Sequence, residues 1–127
     1  MKQFIAKWAW VLVFLLFLTI TNRAYADVYI NEVAWMGASA SSTNEWIELY
    51  NDGTSDIDLD GWVIVSEDGS PNISITGAAN SVIGSKKYYL IERTDDTSAP
   101  DVSADLIAPF GSGLSNTGEK PFLKNSG

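Results

Sequence analysis

The residues most suggestive of chemistry are the acidic ones in the middle of the chain. Asp56, Asp58, Asp60 and Glu67 satisfy the spacing D-x-[DN]-x-[DN]-G-x5-E, which is typical of a calcium-binding loop. In such a loop the three aspartates and Glu67 would supply carboxylate oxygens, and Trp62 would supply a backbone carbonyl. The spacing therefore raises a calcium site, and with it calcium-dependent adhesion, as one hypothesis.

The residues between these acids favour a different structure. Ile57 and Leu59 alternate with the aspartates, and such alternation is typical of a strand with one buried face. On a strand, Asp58 and Asp60 would face water ~7 Å apart, and Glu67 could not return to them. We therefore predict a strand with no metal ligands here and keep calcium as the less favoured alternative.

Other carboxylates could in principle act in pairs, as in glycoside hydrolysis. Glu32, Glu45 and Glu48 are candidates, and Asp95-Asp96 is a further acidic pair. A chain with 16 acidic residues contains such pairs by chance, and Asp95-Asp96 is typical of a solvated loop. We predict no catalytic residue among them.

The composition excludes several classes of site. The chain has no cysteine and no histidine, which excludes disulfides, thiol nucleophiles, cysteine-rich zinc sites and a Ser-His-Asp triad. Ser112, between Gly111 and Gly113, therefore has no histidine base to activate it. No glycine-rich loop is followed by Lys-Ser/Thr, so a phosphate-binding loop is not indicated either. We expect the protein to need no cofactor.

The charge balance argues against nucleic-acid binding. The chain carries 8 Lys+Arg against 16 Asp+Glu, for a net charge of −8. Three of the basic residues, Lys2, Lys7 and Arg23, precede Asp27, so residues 27–127 carry five basic against sixteen acidic side chains, a net charge of −11. A surface this acidic repels phosphate backbones and anionic lipids.

The first 26 residues have the three parts of a secretory signal peptide. Lys2 and Lys7 form a basic start, Trp8–Ile20 is an uncharged apolar run, and Ala24-Tyr25-Ala26 is a small-x-small ending. A membrane-spanning helix needs roughly 20 apolar residues, which makes a retained anchor the less favoured alternative. We predict cleavage after Ala26 and a secreted, periplasmic or cell-surface location, with only transient membrane contact.

The remaining chain, residues 27–127, has the pattern of short strands separated by turns and is predicted to form one domain. The predicted strands are Val28–Trp35, Glu45–Asn51, Ile57–Val65 with a bend at Gly61, Ile73–Ile75, Lys87–Arg93 and, beginning a last strand, Pro121–Lys124. Such short strands, with turn residues about every 8–12 positions, indicate an all-β sandwich or barrel. The segments Met36–Asn44 and Thr94–Ser115 are predicted to be loops, and Trp62 a core residue.

Several of these segments together resemble the lamin-tail domain family. Glu45–Asn51 (EWIELYN) and Ile57–Trp62 (IDLDGW) resemble its E-(W/F)-(I/V)-E-L-x-N and (I/V)-x-L-x-G-W blocks. Ile30–Val33 is similar to its opening strand, Ile83–Ile91 to its glycine-then-aromatic strand, and Leu114–Glu119 to its L-x-N-x-G-(D/E) turn. This resemblance implies an immunoglobulin-like β-sandwich. The chain ends directly after an apolar strand where family members continue, which indicates a sandwich truncated at its last strand or strands.

The resemblance also implies a function. It points to an exported, non-catalytic accessory domain, similar to those in bacterial secreted or surface proteins, that binds a protein, a glycan or a neighbouring domain. Two alternatives remain besides calcium-dependent adhesion. The chain could be a fragment of a larger secreted hydrolase whose catalytic domain lies elsewhere, or, as in nuclear relatives of the family, a nucleic-acid binder, which its charge opposes.

Overall fold

The computed structural model describes residues 28–37, 41–99 and 101–127. The predicted leader, residues 1–26, lies outside them. The described residues form nine strands: β1 (Val28–Ala34), β2 (Trp46–Asn51), β3 (Ile57–Asp58), β4 (Trp62–Ser66), β5 (Asn72–Ile75), β6 (Val82–Ile83), β7 (Tyr88–Arg93), β8 (Leu106–Ala108) and β9 (Pro121–Lys124). The predicted all-β class is confirmed.

The strands form two main sheets. One has the order β1-β2-β7-β8, and the other has the order β5-β4-β9. Strands β3 and β6 form a separate two-stranded pair. Neighbouring strands are antiparallel, except that β8 runs parallel to β7. Strands β1 and β9 are therefore each an edge of a main sheet.

The core lies between the two main sheets because alternate side chains of each sheet point inward. Ile47 and Leu49 of β2 and Ile64 of β4 are completely buried in one cluster. Trp62, at the start of β4, is 8% exposed and belongs to the same cluster, as predicted. The arrangement is a β-sandwich.

The prediction of one bent strand over Ile57–Val65 is wrong. A tight turn separates β3 from β4, in which the N–H of Trp62 donates to the carbonyl of Leu59 over 2.9 Å. Gly61 occupies the turn with φ +80°, a left-handed conformation that glycine adopts without strain. The inward and outward faces were nevertheless predicted correctly, since Leu59 is completely buried while Asp58 and Asp60 are exposed.

The predicted loop Thr94–Ser115 also contains a strand. Residues Leu106–Ala108 form β8, which pairs in parallel with Ile91–Arg93 of β7. A parallel neighbour needs a crossover connection rather than a short hairpin, and residues 94–105 supply it. A strand of three residues is too short to show a period in the sequence.

Among the described residues no helix is long and apolar enough to cross a membrane.

Candidate interaction surface

Each acidic residue of the calcium-loop pattern bonds to a different partner in the structure. Asp56 Oδ1 accepts a hydrogen bond from the N–H of Ser85 over 2.8 Å, and Asp60 Oδ1 accepts one from the N–H of Gly77 over 3.2 Å. These bonds attach the β3–β4 segment to the chain around β5 and β6. Both aspartates thus satisfy backbone N–H groups of neighbouring loops.

The other two carboxylates of the pattern have partners of their own. Asp58 Oδ1 accepts bonds from the Ser81 hydroxyl over 2.7 Å and from the N–H of Asp60 over 3.0 Å. Glu67 Oε2 lies 3.1 Å from Lys120 Nζ in an exposed ion pair. The structure does not bring the four carboxylates to one centre, and in the described part of the chain no three acidic side chains are grouped as metal ligands would be.

Two titratable groups have pKa values shifted by their surroundings. The Ser81 hydroxyl, and then the N–H of Asp60, stabilise the charged carboxylate and hold the pKa of Asp58 below its usual value. Burial of the Tyr89 phenol, together with the nearby negative charge of Asp105, raises the pKa of Tyr89 to about 12. These bonds join strands to the segment before β6: Asp58 of β3 bonds to Ser81, and the Tyr89 hydroxyl of β7 donates to the carbonyl of Asn80 over 2.7 Å.

Glu45, one of the carboxylates considered for hydrolysis, is buried. Its Oε2 lies 2.9 Å from Nη1 of Arg93 and accepts the N–H of Leu114 over 3.0 Å. The Arg93 guanidinium also donates to the carbonyl of Gly111 over 3.4 Å. This ion pair therefore holds the loop after β8 against the start of β2, and Glu45 and Arg93 stabilise the fold.

The other carboxylates considered for hydrolysis do not join Glu45. Glu48 lies on the opposite face of β2 and accepts a hydrogen bond from Asn31 over 2.8 Å, while Glu32 is exposed opposite it on β1. The carboxylates of Asp95-Asp96 accept bonds from within their own loop, from Thr97 and from the N–H of Ala104. Ser112, the serine considered as a nucleophile, has its Oγ 3.0 Å from Ser70 Oγ.

Glu92 is a buried acid that the sequence reasoning did not single out. Its two carboxylate oxygens accept the backbone N–H groups of Ser98 and Ala99, each over 2.9 Å. A fully buried carboxylate is tolerated where backbone donors satisfy it. Its side chain faces outward from the sheet and is covered there by the loop that carries Ser98 and Ala99. A glutamate in a strongly apolar strand was the available signal.

Asn51 performs a similar role at the end of β2. Its Oδ1 accepts the N–H of Gly53 over 2.9 Å, which closes the turn after the strand. Its Nδ2 donates to the carbonyls of Ser55, Ile83 and Gly84 over distances from 2.9 to 3.2 Å. One buried amide thus ties the turn after β2 to β6.

An apolar groove lies where the free edges of the two sheets approach each other. It has a volume of about 310 Å³ and is lined chiefly by Val33, Trp35, Leu114 and Pro121. Trp35, immediately after β1, is 41% exposed. Large aromatic side chains left partly exposed beside a concave apolar surface are typical of interaction sites.

A polar depression lies next to this groove. It measures about 570 Å³ and includes Glu67, Asp68 and Lys120. Ser115, Gly118 and Glu119 line both concavities, so the two are adjacent. We call the combined concavity the edge groove; it is apolar at one end and acidic at the other.

A row of tyrosines crosses the outer face of the four-stranded sheet. Tyr29, Tyr50 and Tyr88 occupy opposite positions on β1, β2 and β7. Their ring centroids are 5.8 Å and 4.8 Å apart, with interplanar angles of 70° and 37°. Such cross-strand aromatic pairs stabilise a sheet, and Tyr29 and Tyr88 remain 47% and 57% exposed.

Comparison with family models agrees with this fold, whereas comparison with curated proteins finds no match. A family model described as Lamin Tail Domain matches residues 21–127, which includes every strand described above. The chain therefore belongs to the lamin tail domain family, whose members are non-catalytic, immunoglobulin-like domains that typically mediate interactions.

Proposed function

We propose that residues 27–127 form an exported, non-catalytic interaction domain that binds a protein, a glycan or a neighbouring domain through the edge groove. One contrast carries this proposal. The buried carboxylates of Glu45 and Glu92 bond to Arg93 or to backbone N–H groups, whereas Trp35, beside the groove, is 41% exposed. The exposed Trp35 and the groove beside it therefore support a role in binding a partner.

Export is supported by the first 26 residues. Lys2 and Lys7, the apolar run Trp8–Ile20 and the ending Ala24-Tyr25-Ala26 match a cleaved signal peptide in order and length. The location we propose is secreted, periplasmic or at the cell surface, as in a bacterial envelope. The net charge of −11 for residues 27–127 opposes nucleic acid as a partner.

Export and the lack of catalysis can be tested with the same preparation. The full chain is expressed in a bacterial host, and the culture medium, periplasm and membranes are separated. We expect exported protein whose first residue is Asp27; Met1 on membrane-bound protein would indicate a retained anchor. The exported protein is then assayed against chromogenic esters, phosphoesters and glycosides. Turnover above buffer that survives purification would contradict a non-catalytic role.

The proposal includes no metal. Titration of the exported protein with calcium should show no saturable binding below about 1 mM. The aspartates bond to different partners and do not converge on one centre. Saturable binding that the double variant Asp58→Asn/Asp60→Asn abolishes would favour calcium-dependent adhesion instead.

A further inference from the structure

The edge groove has the size and position to receive a segment of another chain. Its apolar end, about 310 Å³, can enclose one large side chain between Val33, Trp35, Leu114 and Pro121. Val33 belongs to β1 and Pro121 to β9, and both strands are sheet edges. Edge strands present backbone N–H and C=O groups that an extended peptide can pair with.

The other end of the groove is negatively charged. The Asp68 carboxylate accepts the N–H of Ser70 over 3.0 Å, and the Glu119 carboxylate accepts the N–H of Ser115 over 2.6 Å. A backbone donor orients a carboxylate without neutralising its charge. Both charges therefore remain available to a basic group from outside.

We propose that the edge groove binds an extended basic peptide of a partner protein. One aromatic or aliphatic side chain of the peptide enters the apolar end beside Trp35, and adjacent lysine or arginine side chains face Asp68 and Glu119. This inference rests on the proposed function and specifies its site and partner class.

Charge complementarity selects this occupant. A second copy of a domain with net charge −11 would bring like charges together. Its own basic side chains are largely engaged, since Lys86, Arg93 and Lys120 lie in ion pairs with Asp52, Glu45 and Glu67. A neutral glycan would leave the carboxylates without a cationic partner. A basic peptide satisfies both ends of the groove.

The test measures peptide affinity by fluorescence anisotropy. The full chain, in the form that its host exports, is titrated against a fluorescein-labelled peptide with one tryptophan flanked on both sides by lysines. Two comparison peptides replace the lysines with glutamates or the tryptophan with serine. Trp35→Ala should weaken binding of the basic peptide at least about tenfold, as truncating an aromatic anchor usually does. Tyr88→Ala is the matched control. It removes an exposed aromatic side chain from the outer face of the four-stranded sheet, away from the groove, and should leave the affinity for the peptide unchanged.

A second pair of variants tests the charges. Asp68→Asn/Glu119→Gln keeps the oxygen acceptors for the backbone and removes two negative charges. Asp95→Asn/Asp101→Asn removes two exposed charges from the loop after β7. Only the first should weaken binding, by about tenfold or more at low salt and by less at high salt.

The outcomes separate this inference from the proposed function. Equal weakening by both charge pairs would show non-specific attraction and overturn the inference, as would tighter binding of the glutamate peptide. Loss of binding on Tyr88→Ala but not on Trp35→Ala would overturn it and place the site on the tyrosine row. A protein that binds no peptide but is retained on the cell envelope would contradict the inference while keeping the interaction role.

Discussion

Replacing Glu45 with alanine is expected to lower the free energy of unfolding by roughly 3 kcal/mol. The substitution removes the ion pair to Arg93 and leaves the buried N–H of Leu114 without its acceptor. If Glu45 were instead a surface or active-site acid, its removal would hardly affect folding. The experiment therefore separates a structural role for this carboxylate from a chemical one.

The magnitude follows from the geometry of the two bonds. A hydrogen bond to a charged group contributes about 1.5–3 kcal/mol, and an orphaned buried N–H costs about 1–3 kcal/mol. Breaking a fully buried ion pair costs about 3–5 kcal/mol. The Arg93 side chain is 16% exposed, so water can partly solvate the guanidinium after the change, and a value near the low end follows. For a domain of this size the melting temperature should fall by more than about 12 °C.

Urea unfolding followed by tryptophan fluorescence measures the effect. Glu45→Gln keeps an oxygen for Leu114 but removes the charge, so it should lie between wild type and Glu45→Ala. Glu48→Ala is the matched control from the same strand region, because it removes only an exposed bond to Asn31 and should cost less than about 1 kcal/mol. Equal destabilisation by Glu45→Ala and Glu48→Ala would refute the reasoning.

Three further substitutions test the core, a shifted pKa and a close approach. Trp62→Ala should cost roughly 3–5 kcal/mol, and an unchanged melting temperature would show that Trp62 is not a core residue. Because folding raises the pKa of Tyr89 to about 12, the stability that this phenol contributes is complete below pH 10 and is lost as the pH rises towards 12. Urea midpoints measured over a pH series should therefore fall less steeply in Tyr89→Phe than in wild type, and parallel curves would contradict this role. Gly113→Ala should destabilise more than Gly118→Ala, since both have positive φ but only at Gly113 would a Cβ overlap the Arg93 guanidinium; equal losses on thermal melting would count against that packing.

The strands that alternate clearly were predictable from the sequence. Strand β2 alternates inward and outward side chains without interruption, and its prediction was confirmed to within one residue. The break between β3 and β4 was not predictable, because one glycine can either bend a strand or close a turn. Strand β8 was missed because its pairing with β7 depends on the long connection that precedes it.

The candidate site was much less predictable than the fold. The groove combines Trp35 with Leu114 and Pro121, which are distant in sequence and meet only once both sheets have formed. The acidic spacing of the calcium-loop pattern was visible in the sequence, but in the structure each aspartate bonds to a different partner. The burial of Glu92 likewise depends on a loop that folds over it. Spacing along the chain does not report such long-range contacts.

The most direct test of the central claim is binding to the envelope of the organism that encodes the protein. Exported wild-type protein, Trp35→Ala and the control Tyr88→Ala are incubated at increasing concentration with isolated envelopes, and the retained fraction is measured after sedimentation. The domain should be retained saturably, with Trp35→Ala weakened at least about tenfold and Tyr88→Ala unchanged. Wild-type protein that is not retained, or Trp35→Ala retained as well as wild type, would contradict an interaction domain that works through this groove.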